Sequence, residues 1–199
     1  MAIGFICEDI ASPYIPELIK GVEQLMRHLF DLGHKLIAMI AGPEESGRDD
    51  SQIARYISAM KSTGLGGHIR YEHTDFSMEQ GLRTARRMLE VKGGERPAAI
   101  IGNADLSVIG ALKAAKELGL GVPDDVSSAG WGGIDYGLYT DPPITSLMVP
   151  RYRLGIEAAK LLLKCAADKN ASCEPVHGDL LPVTLAVRGS TGQCPDRPD

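Results

Sequence analysis

The sequence predicts an α/β protein built on a doubly wound parallel sheet. Short apolar stretches alternate with longer amphipathic stretches almost from one end of the chain to the other. Alternation of this kind is typical of parallel strands covered on both faces by helices. Residues 97–133 show it most clearly, with the pattern of a buried strand, a polar turn, an amphipathic helix, a Gly/Pro stop and a second strand. This βαβ unit predicts the fold class.

Each element follows from its own residue pattern. Apolar stretches bounded by turn residues predict seven strands, at 2–7, 35–40, 68–73, 98–102, 126–130, 145–149 and 181–187. Amphipathic stretches between them predict five helices, at 15–32, 50–63, 77–91, 105–118 and 151–167. In helix 105–118 apolar residues recur every three positions from Leu106 to Leu118, and Gly119 ends the helix. The segment IDYGLYTDPP, residues 134–143, is predicted to be a surface loop near the carboxyl edge of the sheet.

Composition narrows the function classes. The chain has 199 residues, 44% of them apolar, and a formal net charge of −5 without any basic run, which argues against a protein that binds nucleic acid by itself. The four cysteines are scattered, with no CxxC pair and no His at ligand spacing, so neither a zinc site nor a disulfide framework is predicted. MAIGFICEDI lacks the features of a signal peptide, and no apolar run is long enough for a membrane span. We therefore expect a cytoplasmic protein that does not interact with membranes.

Six segments carry a family resemblance, and they occur in a fixed order. They are IGFICEDIASPYIPELIKGVEQ, LFDLGHKLIAMIAGP, TDFSMEQGLRTARRML, AAIIGNADLSVIGALKAAKELGLGVPDDVSSAGWGGI, TDPPITSLMVPRYRLGIEAAKLLL and LPVTLAVRGST. In this order they resemble the effector-binding core of the LacI/GalR family of bacterial transcription regulators. The resemblance covers nearly the whole chain.

The resemblance implies a type I periplasmic-binding-protein-like fold with one nearly complete lobe and a reduced second lobe. Residues 1–34 and 144–180 would be the remnant of the N-terminal lobe, 35–143 and 181–190 the C-terminal lobe, and 191–199 a disordered tail. The helix-turn-helix that usually opens such proteins is absent from this chain. Two or three strand-helix units, on the order of 60 to 90 residues at ~30 per unit, are also missing between Gln24 and Leu25.

The residues around positions 24 and 25 are compatible with one continuous helix. Ile15, Leu18, Val22, Leu25, Leu29 and Leu32 keep spacings of three and four across this point. The two halves therefore share one apolar stripe, and a single helix is predicted from about Ile15 to Leu32. The reduced first lobe would leave sheet edges and an apolar face uncovered, which favours self-association.

Three candidate ligand-binding residues follow predicted strands. Asp105 stands where the resemblance implies an Asp that accepts hydrogen bonds from an effector, although an N-cap of helix 105–118 is an equally good interpretation. Phe76 aligns with an aromatic that stacks on ligand rings, or it anchors the loop beneath helix 77–91. Trp131 either lines the cleft or is buried and fixes the strand end.

Three further candidates belong to other parts of the cleft. Tyr14 matches an aromatic that helps close the cleft from the first lobe, and Ser12 beside it could donate a hydroxyl, although Ser-Pro is also ordinary turn chemistry. Family members place an effector-contacting Arg after the AGP segment. This chain has Gln52 at that position, and Arg48 is the nearby candidate.

Gly132 and Gly133 replace a polar pair that often follows the aromatic at position 131, which removes two hydrogen-bonding side chains.

The resemblance implies a ligand-sensing function. In intact members a small molecule binds between the lobes and biases an open or closed arrangement, which sets the spacing of the DNA-binding heads in a dimer. We therefore expect a small effector of the sugar or nucleoside class, a homodimer, and contact with DNA only through an absent head or an intact partner chain. No cofactor, metal or catalytic residue is predicted, and no enzymatic activity is expected.

Three alternatives remain open. A solute-binding protein of the periplasmic type would share the fold but should carry an export signal. The chain could also be a vestigial fragment without function. A nucleotide-handling enzyme would need a glycine-rich phosphate loop after the first strand, and ICEDIASPY offers none.

Overall fold

The computed structural model describes residues 15–44, 49–91, 95–167 and 181–196. The helices in these ranges are α1 (Ile15–Asp31), α2 (Asp49–Ser62), α3 (Met78–Leu89), α4 (Asp105–Glu117) and α5 (Arg151–Ala167). The strands are β1 (Ile37–Ala41), β2 (Arg70–His73), β3 (Ala99–Gly102), β4 (Ser127–Gly132), β5 (Thr145–Met148) and β6 (Thr184–Ala186). These bounds confirm the five predicted helices and six of the seven predicted strands. The remaining strand, 2–7, lies outside the described residues.

The described strands form one six-stranded sheet in the order β2-β1-β3-β4-β5-β6. The pairs from β2 to β5 are parallel, and β6 joins the edge antiparallel to β5. Strand β1 is the first described strand in the chain, and it lies between β2 on one side and β3 on the other. The chain therefore adds strands on both sides of β1. A doubly wound sheet has this order, so the predicted fold class is confirmed.

Helices cover both faces of the sheet, and β1 is buried on both. Its residues Ile37, Met39 and Ala41 pack with α1 and α2, whereas Ala38 and Ile40 pack with α3 and α4. This alternation follows from the two-residue period of a strand. The apolar run of β1 in the sequence is therefore explained by burial on two faces at once.

The crossing of α3 and α4 depends on two glycines. A Cβ atom on Gly81 would lie 2.4 Å from the carbonyl oxygen of Ser107, and one on Gly110 would lie 2.2 Å from that of Met78. Any larger residue at either position would force the two backbones apart. The helices therefore touch backbone to backbone near their N-terminal ends.

Helix α1 runs without interruption through residues 24 and 25, as predicted. Its buried side chains include Val22, Leu25, Met26 and Leu29, on both sides of this point. These side chains belong to the same apolar cluster as strands β1 and β3. The joined helix is thus packed on the sheet along its described side chains.

The placement of two elements in a separate first lobe is corrected by the strand pairing. Strand β5, within the predicted remnant 144–180, pairs in parallel with β4 through Ala129 and Thr145. Helix α1, within the remnant 1–34, packs on the same sheet. Pairing between distant segments overrides the assignment by position in the chain. The division into two lobes otherwise stays a prediction, because residues 1–14 and 168–180 lie outside the described ranges.

The predicted disordered tail is wrong for residues 191–196, which are held at the amino edge of the sheet. The hydrogen bonds run from Gly192 N to Ser127 Oγ (3.0 Å), from His34 Nε2 to Gly192 O (3.0 Å) and from Cys194 N to Leu32 O (2.8 Å). The polar composition of this segment therefore serves internal hydrogen bonds rather than solvation. Residues 197–199 lie outside the described part of the chain.

Candidate functional site

The structure brings Phe76, Asp105 and Trp131 to one edge of the sheet. Phe76 follows β2, Asp105 follows β3, and Trp131 lies near the end of β4. Since these strands are parallel, their carboxyl ends share the same edge, where open α/β sheets bind ligands. The strands β2 and β3 both pair with β1, so the segments after them are separated only by the end of β1.

Phe76 has a strained backbone and packs over a glycine. Its φ is 65°, in the left-handed region that residues with side chains rarely adopt. The half-buried ring covers the end of β1 so closely that a Cβ on Gly42 would lie 2.1 Å from its Cζ atom. Strain of this kind costs on the order of 1–3 kcal/mol and persists only where neighbouring contacts impose it.

Hydrogen bonds on both sides of Phe76 impose this conformation. The Thr74 hydroxyl donates to the carbonyl of Ala41 at 2.8 Å, and the Ser77 hydroxyl caps α3 by accepting from Gln80 N at 3.1 Å. Asp75 accepts a hydrogen bond from Ser77 N at 2.9 Å. Hydrogen bonds from Ser77 to this carboxylate hold the pKa of Asp75 below its ordinary value. The loop is therefore fixed between β1 and the start of α3.

Asp105 is a buried cross-link, not an N-cap. Only 2% of the residue is exposed, and its two carboxylate oxygens accept from Ser146 Oγ at 2.6 Å and from Ile134 N at 2.8 Å. The N-cap of α4 is Ala104, and no side chain caps that helix. The N-cap interpretation of Asp105 is thus wrong. The carboxylate instead joins the start of α4 to β5 and to the loop after β4.

Strand β4, which lies next to Asp105, has no room for a side chain at position 130. A Cβ on Gly130 would lie 2.1 Å from Asp105 Oδ1. The sequence pattern gave no indication of Ser146 or Ile134 as partners, because they lie 41 and 29 residues further along the chain. Gly130 was the one local signal that another group approaches this strand closely.

Trp131 is half-buried and packs against the apolar cluster that includes β1, α1 and α2. The two glycines after it have positive φ angles, 122° at Gly132 and 64° at Gly133. Gly133 N donates to Ser146 Oγ at 3.1 Å, and a Cβ on Gly133 would lie 2.5 Å from the sulfur of Met148. Backbone conformation and close packing therefore account for this glycine pair.

Sequence reasoning missed one charged group at this edge. The guanidinium of Arg151, at the start of α5, lies over Gly132, with Nη1 3.1 Å from where a Cβ on that glycine would be. Nothing in the local sequence distinguishes Arg151 from other surface arginines. Its position results from the turn between β5 and α5.

The remaining candidate residues from the sequence contribute little to the description of this site. Ser12, Tyr14 and Arg48 lie outside the described residues, so their roles stay predictions. Gln52, in the first half of α2, is half-buried. Within the described ranges no group of three or more His, Cys, Asp or Glu side chains could hold a metal ion, and no helix is long and apolar enough to cross a membrane.

Comparison with known protein families and curated sequences gives consistent matches. A family model described as a periplasmic binding protein-like domain matches residues 26–191. The HTH-type transcriptional repressor CytR of Escherichia coli (strain K12) is 33% identical over 196 residues, covering 94% of this chain and 56% of its own length. The HTH-type transcriptional repressor PurR of Pectobacterium atrosepticum is 29% identical over 197 residues, covering 98% and 56%. The chain thus spans about half the length of these relatives.

Solved structures agree with the sequence matches. A LacI family transcriptional regulator from Bifidobacterium animalis subsp. lactis is 34% identical with a TM-score of 0.78, covering 88% of this chain and 62% of its own. A LacI family transcriptional regulator from Enterococcus faecium, solved with bound ribose, is 26% identical with a TM-score of 0.78, covering 89% and 64%. The lac repressor dimer bound to operator and an anti-inducer is 26% identical with a TM-score of 0.76, covering 87% and 58%.

Proposed function

Because this chain belongs to the periplasmic binding protein-like domain family, in the form of the effector-binding core of LacI/GalR-type regulators, we propose that it binds a small effector of the sugar or nucleoside class. The proposed site is the carboxyl edge of the sheet, where Phe76 and Trp131 lie near the buried Asp105. Ligands of open α/β folds bind at this edge.

The observation that carries the proposal is the ring of Phe76 over Gly42. A half-buried aromatic in a strained backbone conformation at a strand end is typical of a ligand-binding position. An aromatic face packs well against the apolar face of a sugar ring or against a nucleobase. The ribose held by the Enterococcus faecium regulator is a ligand of this class.

The other residues have distinct roles in this proposal. Trp131 supplies a second aromatic surface, and Asp105 fixes the loop after β4 through Ile134 N and Ser146. With 2% exposure, Asp105 reaches an effector hydroxyl only if its present hydrogen bonds open. Ser12 and Tyr14 would contribute from the first lobe, and Arg48 would contribute from the same lobe as Phe76.

The regulatory part of the proposal concerns DNA. The curated relatives are named as repressors rather than enzymes, which favours a non-enzymatic function. We propose action through a homodimer, as in the lac repressor, with the DNA-binding segment supplied by chain beyond these 199 residues or by an intact partner. A regulator that contacts bacterial DNA works in the cytoplasm, so this location is part of the proposal.

A thermal-shift screen against ribose, galactose, cytidine and adenosine tests the proposal. A ligand at 100 times its Kd adds about 2.7 kcal/mol to the free energy of unfolding. At about 2–4 °C per kcal/mol for a chain of this size, the melting temperature should rise by roughly 5–10 °C.

The variant Phe76→Gly should remove this shift while keeping the fold, because glycine adopts a φ of 65° without strain. Tyr71→Ala is the matched control, since it removes a partly exposed aromatic from β2. The absence of any shift in a folded sample, or an undiminished shift in Phe76→Gly, would refute the proposal.

A further inference from the structure

We propose that the effector carries an anionic group, a carboxylate or a phosphate, and that Arg151 and Arg153 bind it. This inference rests on the proposed function, because it specifies the chemical class of ligand for the same edge of the sheet. It goes beyond that function, which by itself is equally compatible with a neutral sugar or nucleoside.

A shallow surface cavity of about 560 Å³, open to solvent, lies at the junction of β5 and α5. Residues 149–153 line it, and of the described residues at its surface only Arg151 and Arg153 are charged. Pockets that hold small ligands have volumes of about 300–1,000 Å³. The cavity therefore has the size for the charged end of a small molecule, and Tyr152 adds an aromatic surface to it.

Arg151 connects this cavity with the edge where Phe76 and Asp105 lie. Its Nη1 atom is 3.1 Å from the position that a Cβ on Gly132 would occupy, and Asp105 Oδ2 is 3.8 Å from the same position. The guanidinium and the buried carboxylate thus both lie close to one glycine at the end of β4. A side chain at position 132 would take the space into which Arg151 extends.

Both guanidiniums are available to a ligand. Among the described residues, neither the Arg151 nor the Arg153 side chain makes a hydrogen bond or an ion pair. By contrast, Arg70, Arg83, Arg86 and Arg87 each pair with a glutamate, and Arg188 donates to the carbonyl of Ile144 at 2.6 Å. The Asp105 carboxylate accepts from Ser146 and Ile134 N instead of from Arg151.

The chemistry of two guanidiniums that line one cavity favours carboxylate or phosphate. A guanidinium presents its N–H donors in a planar fork that matches two oxygens of either anion. A neutral sugar hydroxyl uses only one donor of that fork and gains no charge interaction. The pair would therefore discriminate an anionic sugar derivative from its neutral parent.

Two matched ligand pairs test this inference, ribose with ribose 5-phosphate and glucose with glucuronate. Binding to the full chain is measured by thermal shift and titration calorimetry at constant ionic strength. In at least one pair the anionic member should bind roughly 10- to 100-fold more tightly than the neutral one, the range expected for hydrogen bonds to a charged group. The pair that responds identifies the anion as phosphate or carboxylate.

The variants Arg151→Gln and Arg153→Gln should each lower the affinity for the anionic member toward that for its neutral parent. Arg27→Gln is the matched control, because Arg27 is exposed on α1 near the opposite edge of the sheet. This control should leave both affinities unchanged. Far-ultraviolet circular dichroism checks that all three variants remain folded.

Three outcomes would overturn the inference. Equal affinity for both members of each pair, unchanged in Arg151→Gln and Arg153→Gln, refutes it while the proposed function stands. Inorganic phosphate that binds as tightly as ribose 5-phosphate would show that the arginines hold a free anion instead of the effector. A folded chain that binds neither member of either pair, nor any ligand of the neutral screen, refutes the inference and the proposed function together.

Discussion

The buried cross-link made by Asp105 gives the sharpest test of the candidate site. Replacing Asp105 with alanine leaves the Ser146 hydroxyl and the Ile134 N–H without their acceptor. Each buried donor left unsatisfied costs about 1–3 kcal/mol, and the loss of one desolvated carboxylate offsets part of this. We expect the free energy of unfolding to fall by about 3 kcal/mol, which corresponds to roughly 6–12 °C in melting temperature.

Urea unfolding followed by circular dichroism measures this change. Ser146→Ala should lower the unfolding free energy by a comparable amount, about 2–3 kcal/mol, because it leaves the Gly133 N–H and one oxygen of the Asp105 carboxylate without a partner while the Ile134 N–H keeps its bond. Asp124→Ala is the matched control, since Asp124 is exposed in a turn and should change stability by less than about 0.5 kcal/mol.

The double variant completes the test. Asp105 and Ser146 share one hydrogen bond, so the effects of the two substitutions should be non-additive by about 1–2 kcal/mol. A loss below about 1 kcal/mol in Asp105→Ala, or full additivity in the double variant, would show that this carboxylate does not join α4 to β5.

Three further outcomes are expected. Tyr56→Phe should lower the free energy of unfolding, measured in urea, by about 2 kcal/mol, because the buried Tyr56 hydroxyl donates to Ile37 O and accepts from Arg70 N. The control Tyr71→Phe, at a partly exposed ring, should leave this free energy unchanged. Gly110→Ala should destabilise by about 1–3 kcal/mol through overpacking against Met78, whereas Gly155→Ala, with open space around it, should be neutral or stabilising. Burial lowers the pKa of His28 below its ordinary value of 6.5, against a smaller opposite effect of Asp31, so the unfolded chain takes up the proton first. Stability should therefore fall as the pH drops below about 6.5 and level off below the folded-state pKa, and His28→Gln should flatten this dependence in melting curves recorded from pH 8 to 5.

Local sequence patterns predicted the helices and strands well, because whether a segment forms a helix or a strand depends largely on neighbouring residues. The period of apolar residues predicted the bounds of α4 to within one residue, although Leu106 of the predicted stripe is exposed and Val108, Ala111 and Ala114 are buried instead. The shared stripe of α1 predicted that this helix passes through residues 24 and 25 unbroken. Membership of a sheet depends instead on distant partners. The pairing of β5 with β4 and the binding of residues 191–196 at the amino edge could not be predicted from either segment alone.

In the candidate site, too, some features were predictable from the sequence and others were not. The family resemblance identified Phe76, and the order of the strands put it at the same edge as Asp105. The left-handed backbone of Phe76 was not predictable, because it is imposed by Gly42 and Thr74 from neighbouring segments. Asp105 looked like an N-cap because it lies at the start of a helix, but its hydrogen-bond partners are on segments that the fold brings in from further along the chain.

The backbone contact between α3 and α4 has a mechanical consequence. Phe76 lies just before α3, and Asp105 is the first residue of α4, so both helices begin at the proposed ligand. Because Gly81 and Gly110 lock the two helices together, neither can slide without carrying the other. A displacement of either helix at its N-terminus would therefore be shared by both helices and carried toward the amino edge of the sheet.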